Sequence, residues 1–147
     1  NENIKEFNGH LKISKESYES LDGSSGKLII LSLSSLVNLE SLNFQDITVN
    51  KVKKHTNHPI MKDMPDGWMT PEGELDNVQQ VYEGTTVLAY GDNGKNKAPK
   101  EPQACVWVNT HGKGKIFSTT LGHHNSTMST KEYLDMLGNA VRWVTAK

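Results

Sequence analysis

Imidazole and carboxylate side chains gather in two stretches of this chain. The first is His55-Thr56-Asn57-His58-Pro59-Ile60, followed by Glu72 and Glu74 in a turn-rich segment. The second is Leu121-Gly122-His123-His124-Asn125-Ser126-Thr127. Imidazole with carboxylate suits a divalent metal ion or general acid–base work near neutral pH. Spacing alone names neither, because His-x-x-His and an adjacent pair of histidines match no metal signature such as His-Glu-x-x-His. Successive residues of an extended chain point to opposite sides, so His123 and His124 are not both expected to face one site. The expected site is His123 with His58 and Glu74, converging from two loops distant in sequence. Plainer readings stand beside these: His58 bonding its own turn before a proline, and Glu72 solvated. Ser34 and Ser35 follow an apolar run, but without the glycines of a nucleophile elbow they read as turn or cap residues. Cys105, inside Val-Trp-Val-flanked strand sequence, reads as a buried inert thiol. Gly112-Lys113-Gly114 is too short for a phosphate loop and reads as a hairpin turn.

These residues need elements to position them. Residues 1–13 are polar and read as a tail or linker. Residues 14–21 fit a short helix with Ser14 as N-cap, ended by the glycine-rich loop 22–26. The apolar run 27–33 suits a strand covered on both faces, as in the centre of a parallel sheet. Residues 46–52 alternate and read as a half-exposed strand. Residues 55–80 look irregular, with turn chemistry at His58-Pro59, Met64-Pro65-Asp66-Gly67 and Thr70-Pro71-Glu72-Gly73. Residues 85–90 read as a strand and 91–102 as an exposed excursion. Residues 104–109 and 115–120 are two strands joined as a hairpin. The spacing predicts a helix over 130–145, opened by a Ser129/Glu132 capping box. Its expected buried stripe is Tyr133, Leu137, Ala140, Val141 and Val144, widened by Met136 and Trp143. Strands mixed with helices point to an α/β layer structure, although two helices are fewer than a doubly wound sheet needs.

The length of 147 residues fits one domain, taken as 1–147. Sixteen Lys plus Arg against seventeen Asp plus Glu leave a net charge of −1, which argues against nucleic acid and against a polybasic membrane anchor. The longest apolar run, 27–33, is far short of the ~20 residues of a membrane span. One cysteine excludes an intramolecular disulfide and a four-cysteine zinc site. Three Trp, four Tyr and three Phe can anchor a core.

The order of motifs is that of a known family. His58-Pro59-Ile60, Met64-Pro65, Gly73-Glu74-Leu75 and Thr86-Val87-Leu88-Ala89 come in sequence. Val106-Trp107, Gly112-Lys113-Gly114-Lys115-Ile116-Phe117, Thr119-Thr120-Leu121-Gly122-His123 and Trp143 follow. Together they resemble the C-terminal part of the ThuA-like family, named for trehalose utilisation and common in bacteria. The match covers roughly 46–144, with the family's opening strands lacking a counterpart. The resemblance implies a flavodoxin-like, three-layer sheet of the class I glutamine amidotransferase type, truncated here, with a C-terminal hairpin and helix. It implies a link to carbohydrate metabolism, in some members to 3-keto forms of disaccharides, and no glutaminase activity. It also implies a metal ion, zinc or manganese, held by histidine and carboxylate. Carried over by motif, His58, Glu74 and His123 are the catalytic and metal-binding positions, and His124 and Asn125 share the substrate loop. The sequence departs from the family at Leu33-Ser34-Ser35, where a strand-ending histidine is expected, at Asp76 for a frequent tyrosine, and at Lys115 for a frequent arginine.

Two functions follow. One is an enzyme that enolises a keto sugar by acid–base groups, with a metal polarising the carbonyl. The other is a non-catalytic module that binds a sugar or a partner chain. The expected partners are a small carbohydrate and either a second copy or a separate segment completing the sheet, because an uncovered edge invites pairing. The non-Met start and the export signals frequent in the family point to an exported protein.

Overall fold

The computed structural model describes residues 4–7, 10–13, 45–94 and 101–146. Strands β1 (Ile4–Phe7) and β2 (His10–Ile13) pair antiparallel, with Phe7 opposite His10. The sequence reads this stretch as a tail. The overlooked signal is Asn8-Gly9, the dipeptide that a two-residue hairpin loop favours. The helix expected over 14–21, the covered strand over 27–33, and Ser34 and Ser35 lie outside the described residues.

The main sheet has five strands: β3 (Gln45–Lys51), β4 (Gly67–Gly73), β5 (Thr86–Asp92), β6 (Gln103–His111) and β7 (Gly114–Thr119). They lie in the order β4-β3-β5-β6-β7, and every pairing is antiparallel. The β6–β7 hairpin turns on Gly112, whose φ of 55° is the left-handed conformation that such a turn requires. Two helices complete the described part, α1 (Asn125–Met128) and α2 (Lys131–Thr145). The chain is thus mixed α/β with the expected C-terminal hairpin and helix.

β4 corrects the irregular reading of 55–80. Pro71 lacks an amide hydrogen, but β4 is an edge strand, where that absence is tolerated. The register slips beside it: Thr70 faces Ile47 while Gly73 faces Gln45, so β4 carries one extra residue. That bulge holds Glu72 at φ 50°, the single non-glycine residue with positive φ among those described. The turns before β4 are held from the core side. Ile60 and Met61 are fully buried, and Lys51 Nζ donates to the carbonyl oxygens of Met64 (2.7 Å) and Met61 (3.3 Å).

The core lies between one face of the sheet and α2. Ile47, Val49, Leu88, Val106 and Phe117 meet Tyr133, Met136, Ala140 and Val144 of the helix. The helical stripe is therefore 133-136-140-144, rotated from the expected one: Leu137 is only partly buried and Val141 is 49% exposed. The cap differs too. Thr130, not Ser129, accepts the Tyr133 amide at 3.3 Å. Within the hairpin, Phe117 is fully buried and Trp107 half-buried.

Candidate functional site

β7 delivers its following loop under tight control. Thr119 Oγ1 donates to the Cys105 carbonyl (2.9 Å) and accepts from the Leu121 amide (3.1 Å), while the Thr120 amide bonds the same carbonyl at 3.1 Å. Gly122 then turns the chain at φ 103°, and His123 and His124 follow. α1 comes next and docks on the bulged end of β4. Thr127 Oγ1 donates to the Pro71 carbonyl at 2.7 Å, and Ser126 Oγ to the same oxygen at 3.3 Å. The bulge thus frees a ladder carbonyl that two hydroxyls capture.

This docking sets the two acidic residues of β4's end against the two histidines. His123 Nδ1 lies 3.4 Å from Glu74 Oε2, with the side chains 16% and 28% exposed. His124 Nδ1 lies 3.4 Å from Glu72 Oε2, with exposures of 41% and 57%. The inner pair is recessed and the outer pair is wet. Nδ1 is thus the ring nitrogen of His123 that faces the carboxylate.

The outer pair has different chemistry. Ser126 Oγ lies 2.9 Å from His124 Nδ1, and the Ser126 amide donates to the same nitrogen at 3.3 Å. Serine, histidine and glutamate are all present, but serine and carboxylate meet one ring nitrogen. A relay needs them on opposite nitrogens. His124 is the N-cap of α1. Asn125 opens α1 with an exposed side chain, and its carbonyl accepts the Ser129 amide at 2.9 Å.

His58 is placed differently. Its Nδ1 accepts the Ile60 amide at 3.3 Å, and its ring lies 5.1 Å from that of Trp143, tilted by 57°. Burial, and secondarily the nearby His55, lowers its proton affinity. Among the described residues no three His, Cys, Asp or Glu side chains converge closely enough to hold a metal ion, so the expected group of His123, His58 and Glu74 is not assembled. The structure gathers His123 with Glu74 and leaves His58 bonding its own turn. Cys105 is fully buried, and burial raises its thiol pKa strongly, which leaves it protonated and inert.

With this geometry in view, comparison defines the class. The ThuA family model, described as trehalose utilisation, matches residues 7–144. The chain belongs to that family, and the match reaches well before residue 46, where the recognisable motifs begin. A ThuA-like protein from Parabacteroides merdae is similar in structure, with TM-score 0.58 and 22% identity, over 71% of this chain and 41% of that one. A second, from Bacteroides uniformis, has TM-score 0.63 and 17% identity, over 92% of this chain and 65% of that one. A cytoplasmic protein from Salmonella typhimurium has TM-score 0.59 and 14% identity, over 90% of this chain and 60% of that one. The chain therefore spans between 41% and 65% of the length of these solved structures. Among curated proteins, none matches the sequence.

Proposed function

We propose that this chain is a carbohydrate-binding ThuA-like domain in which His123 and Glu74 act on keto sugars derived from disaccharides. The observation that carries the reading is the recessed His123–Glu74 pair, fixed by two strand ends and a docked helix. A ketone acidifies the C–H bond beside it. His123 Nε2 takes that proton, the C–H electron pair moves into the enolate, and Glu74 balances the imidazolium. Return of the proton to carbon or to oxygen completes the exchange. His124 and Asn125, at the mouth of the same loop, contact the sugar. Glu74 and His123 supply two ligands where a catalytic zinc ordinarily takes three from protein, so the described residues do not complete a zinc or manganese site.

The test is deuterium exchange at the carbon beside the ketone of 3-keto-trehalose, followed by NMR in heavy water. The wild-type chain should exchange above buffer background. His123→Ala should lose ~10²–10⁴-fold of the gain, the range for a positioned acid–base group. A second reading is a module that binds sugar without chemistry, with the His123–Glu74 pair serving only to hydrogen-bond the ligand. Sugar binding without exchange selects the module, and absence of both rejects the site.

A further inference from the structure

Tyr133 belongs to the apolar stripe of α2 and is only 6% exposed. Its phenol is nevertheless oddly placed for a core residue. A Cβ built on Gly122 would collide with its hydroxyl oxygen, and would lie 2.8 Å from Cζ and 3.0 Å from Cε2. The hydroxyl end of the ring, not its middle, therefore rests on the backbone immediately before His123. Gly122 also holds φ at 103°, so the loop adopts a glycine conformation at the point where the phenol needs space.

Buried tyrosines ordinarily find a partner for their hydroxyl. Here Tyr133 Oη makes no hydrogen bond among the described residues; the residue's own bond is from its amide to Thr130. Nor is that oxygen among the described buried side-chain atoms found without a partner. Phenylalanine would pack the same stripe equally well. Among the described residues the hydroxyl makes no hydrogen bond, and it rests against the loop that carries the acid–base pair.

We infer that Tyr133 is a ligand-binding residue of this site, its hydroxyl donating a hydrogen bond to a sugar oxygen beside the atom that His123 addresses. The inference rests on the keto-sugar reading above. Burial raises the phenol's pKa, so the donor stays protonated at neutral pH. A ketone oxygen gaining charge as its neighbouring carbon loses a proton is the acceptor that such a donor suits best.

Tyr133→Phe removes the oxygen alone. Its melting temperature should match wild type, since no hydrogen bond among the described residues is lost. Its affinity for 3-keto-trehalose, measured by calorimetry, should fall about tenfold, as one hydrogen bond is worth. In the wild-type chain with ¹³C-labelled tyrosine, the Cζ resonance of Tyr133 should move when 3-keto-trehalose binds. An unmoved resonance at saturation overturns the inference however Tyr133→Phe behaves. Unchanged affinity in Tyr133→Phe, with loss in His123→Ala, overturns the Tyr133 role and leaves the site standing. A wild-type chain that binds neither trehalose nor its 3-keto form overturns the site and this inference together.

Discussion

His58 shows how burial decides what an imidazole does. The ring is set against Trp143, and burial, with His55 adding to it, makes protonation harder than in the unfolded chain. The unfolded state then holds more protons as pH drops, so stability falls with it. The contribution is full above the unfolded pKa of about 6.5 and is lost as pH falls through that value toward the lower folded one. His58→Asn keeps an acceptor for the Ile60 amide and removes the titration. The difference in melting temperature between variant and wild type should shift in the variant's favour between about pH 6.5 and pH 5. Parallel curves would refute this account. Glu72 holds its φ of 50° at a cost, because its Cβ crowds the backbone. Its carboxylate is 57% exposed where it meets His124, so the pairing contributes little. Glu72→Gly should therefore raise stability by ~0.5–1 kcal/mol in urea unfolding. A drop in stability would mean that the outer pair holds the loop after all.

At the scale of elements, α2 organises the core and offers the sharpest mutational contrast. Met136 is fully buried, so Met136→Ala should cost ~2–5 kcal/mol, whereas partly buried Leu137 should cost less on truncation. At the helix start, Thr130→Ala should cost ~1 kcal/mol and Ser129→Ala much less, because Thr130 holds the Tyr133 amide. Denaturant midpoints would check both orders, and equal effects would refute the assignment. The helix itself was plain in the sequence, since apolar residues recur at its period. Its phase was not: adjacent Met136-Leu137 and Ala140-Val141 allow two stripes, and only the facing sheet chooses. β4 was hidden because Pro71 and the preceding Pro65 look like turns, and edge position is a tertiary fact. His123 and Glu74 were legible because each follows a strand end within a polar loop. Their partnership depends on the α1–Pro71 docking, which no local pattern announces. Tyr133 was hidden by its own hydrophobicity, since a stripe position reveals the ring and not where the hydroxyl emerges.

At the scale of the whole molecule, the described residues include one patch of the sheet, on β3, β4 and β5, whose side chains are exposed. Thr48 faces Met69 and Asn50 faces Tyr90 across neighbouring strands, which puts all four on one side of the sheet. Met69 is 57% and Tyr90 38% exposed, with Thr48 and Asn50 exposed between them. Asp92 stands opposite Thr48 and Asp46 lies two residues before it, so the patch is polar at its edge and apolar at Met69 and Tyr90. A second copy is one way to cover such a patch. The expectation for the 147-residue chain is self-association through this face. Light scattering at micromolar concentration should report more than the 16.4 kDa of one copy. Met69→Glu combined with Tyr90→Ser places charge and polarity on the face without touching the core. It should return the mass to a single copy while leaving circular dichroism unchanged. Because the His123–Glu74 pair is built from the β4 and β7 ends of one chain, its sugar binding should survive that dissociation. A strictly monomeric wild type would remove the basis for a completing partner and leave the exposed face as ordinary solvated surface.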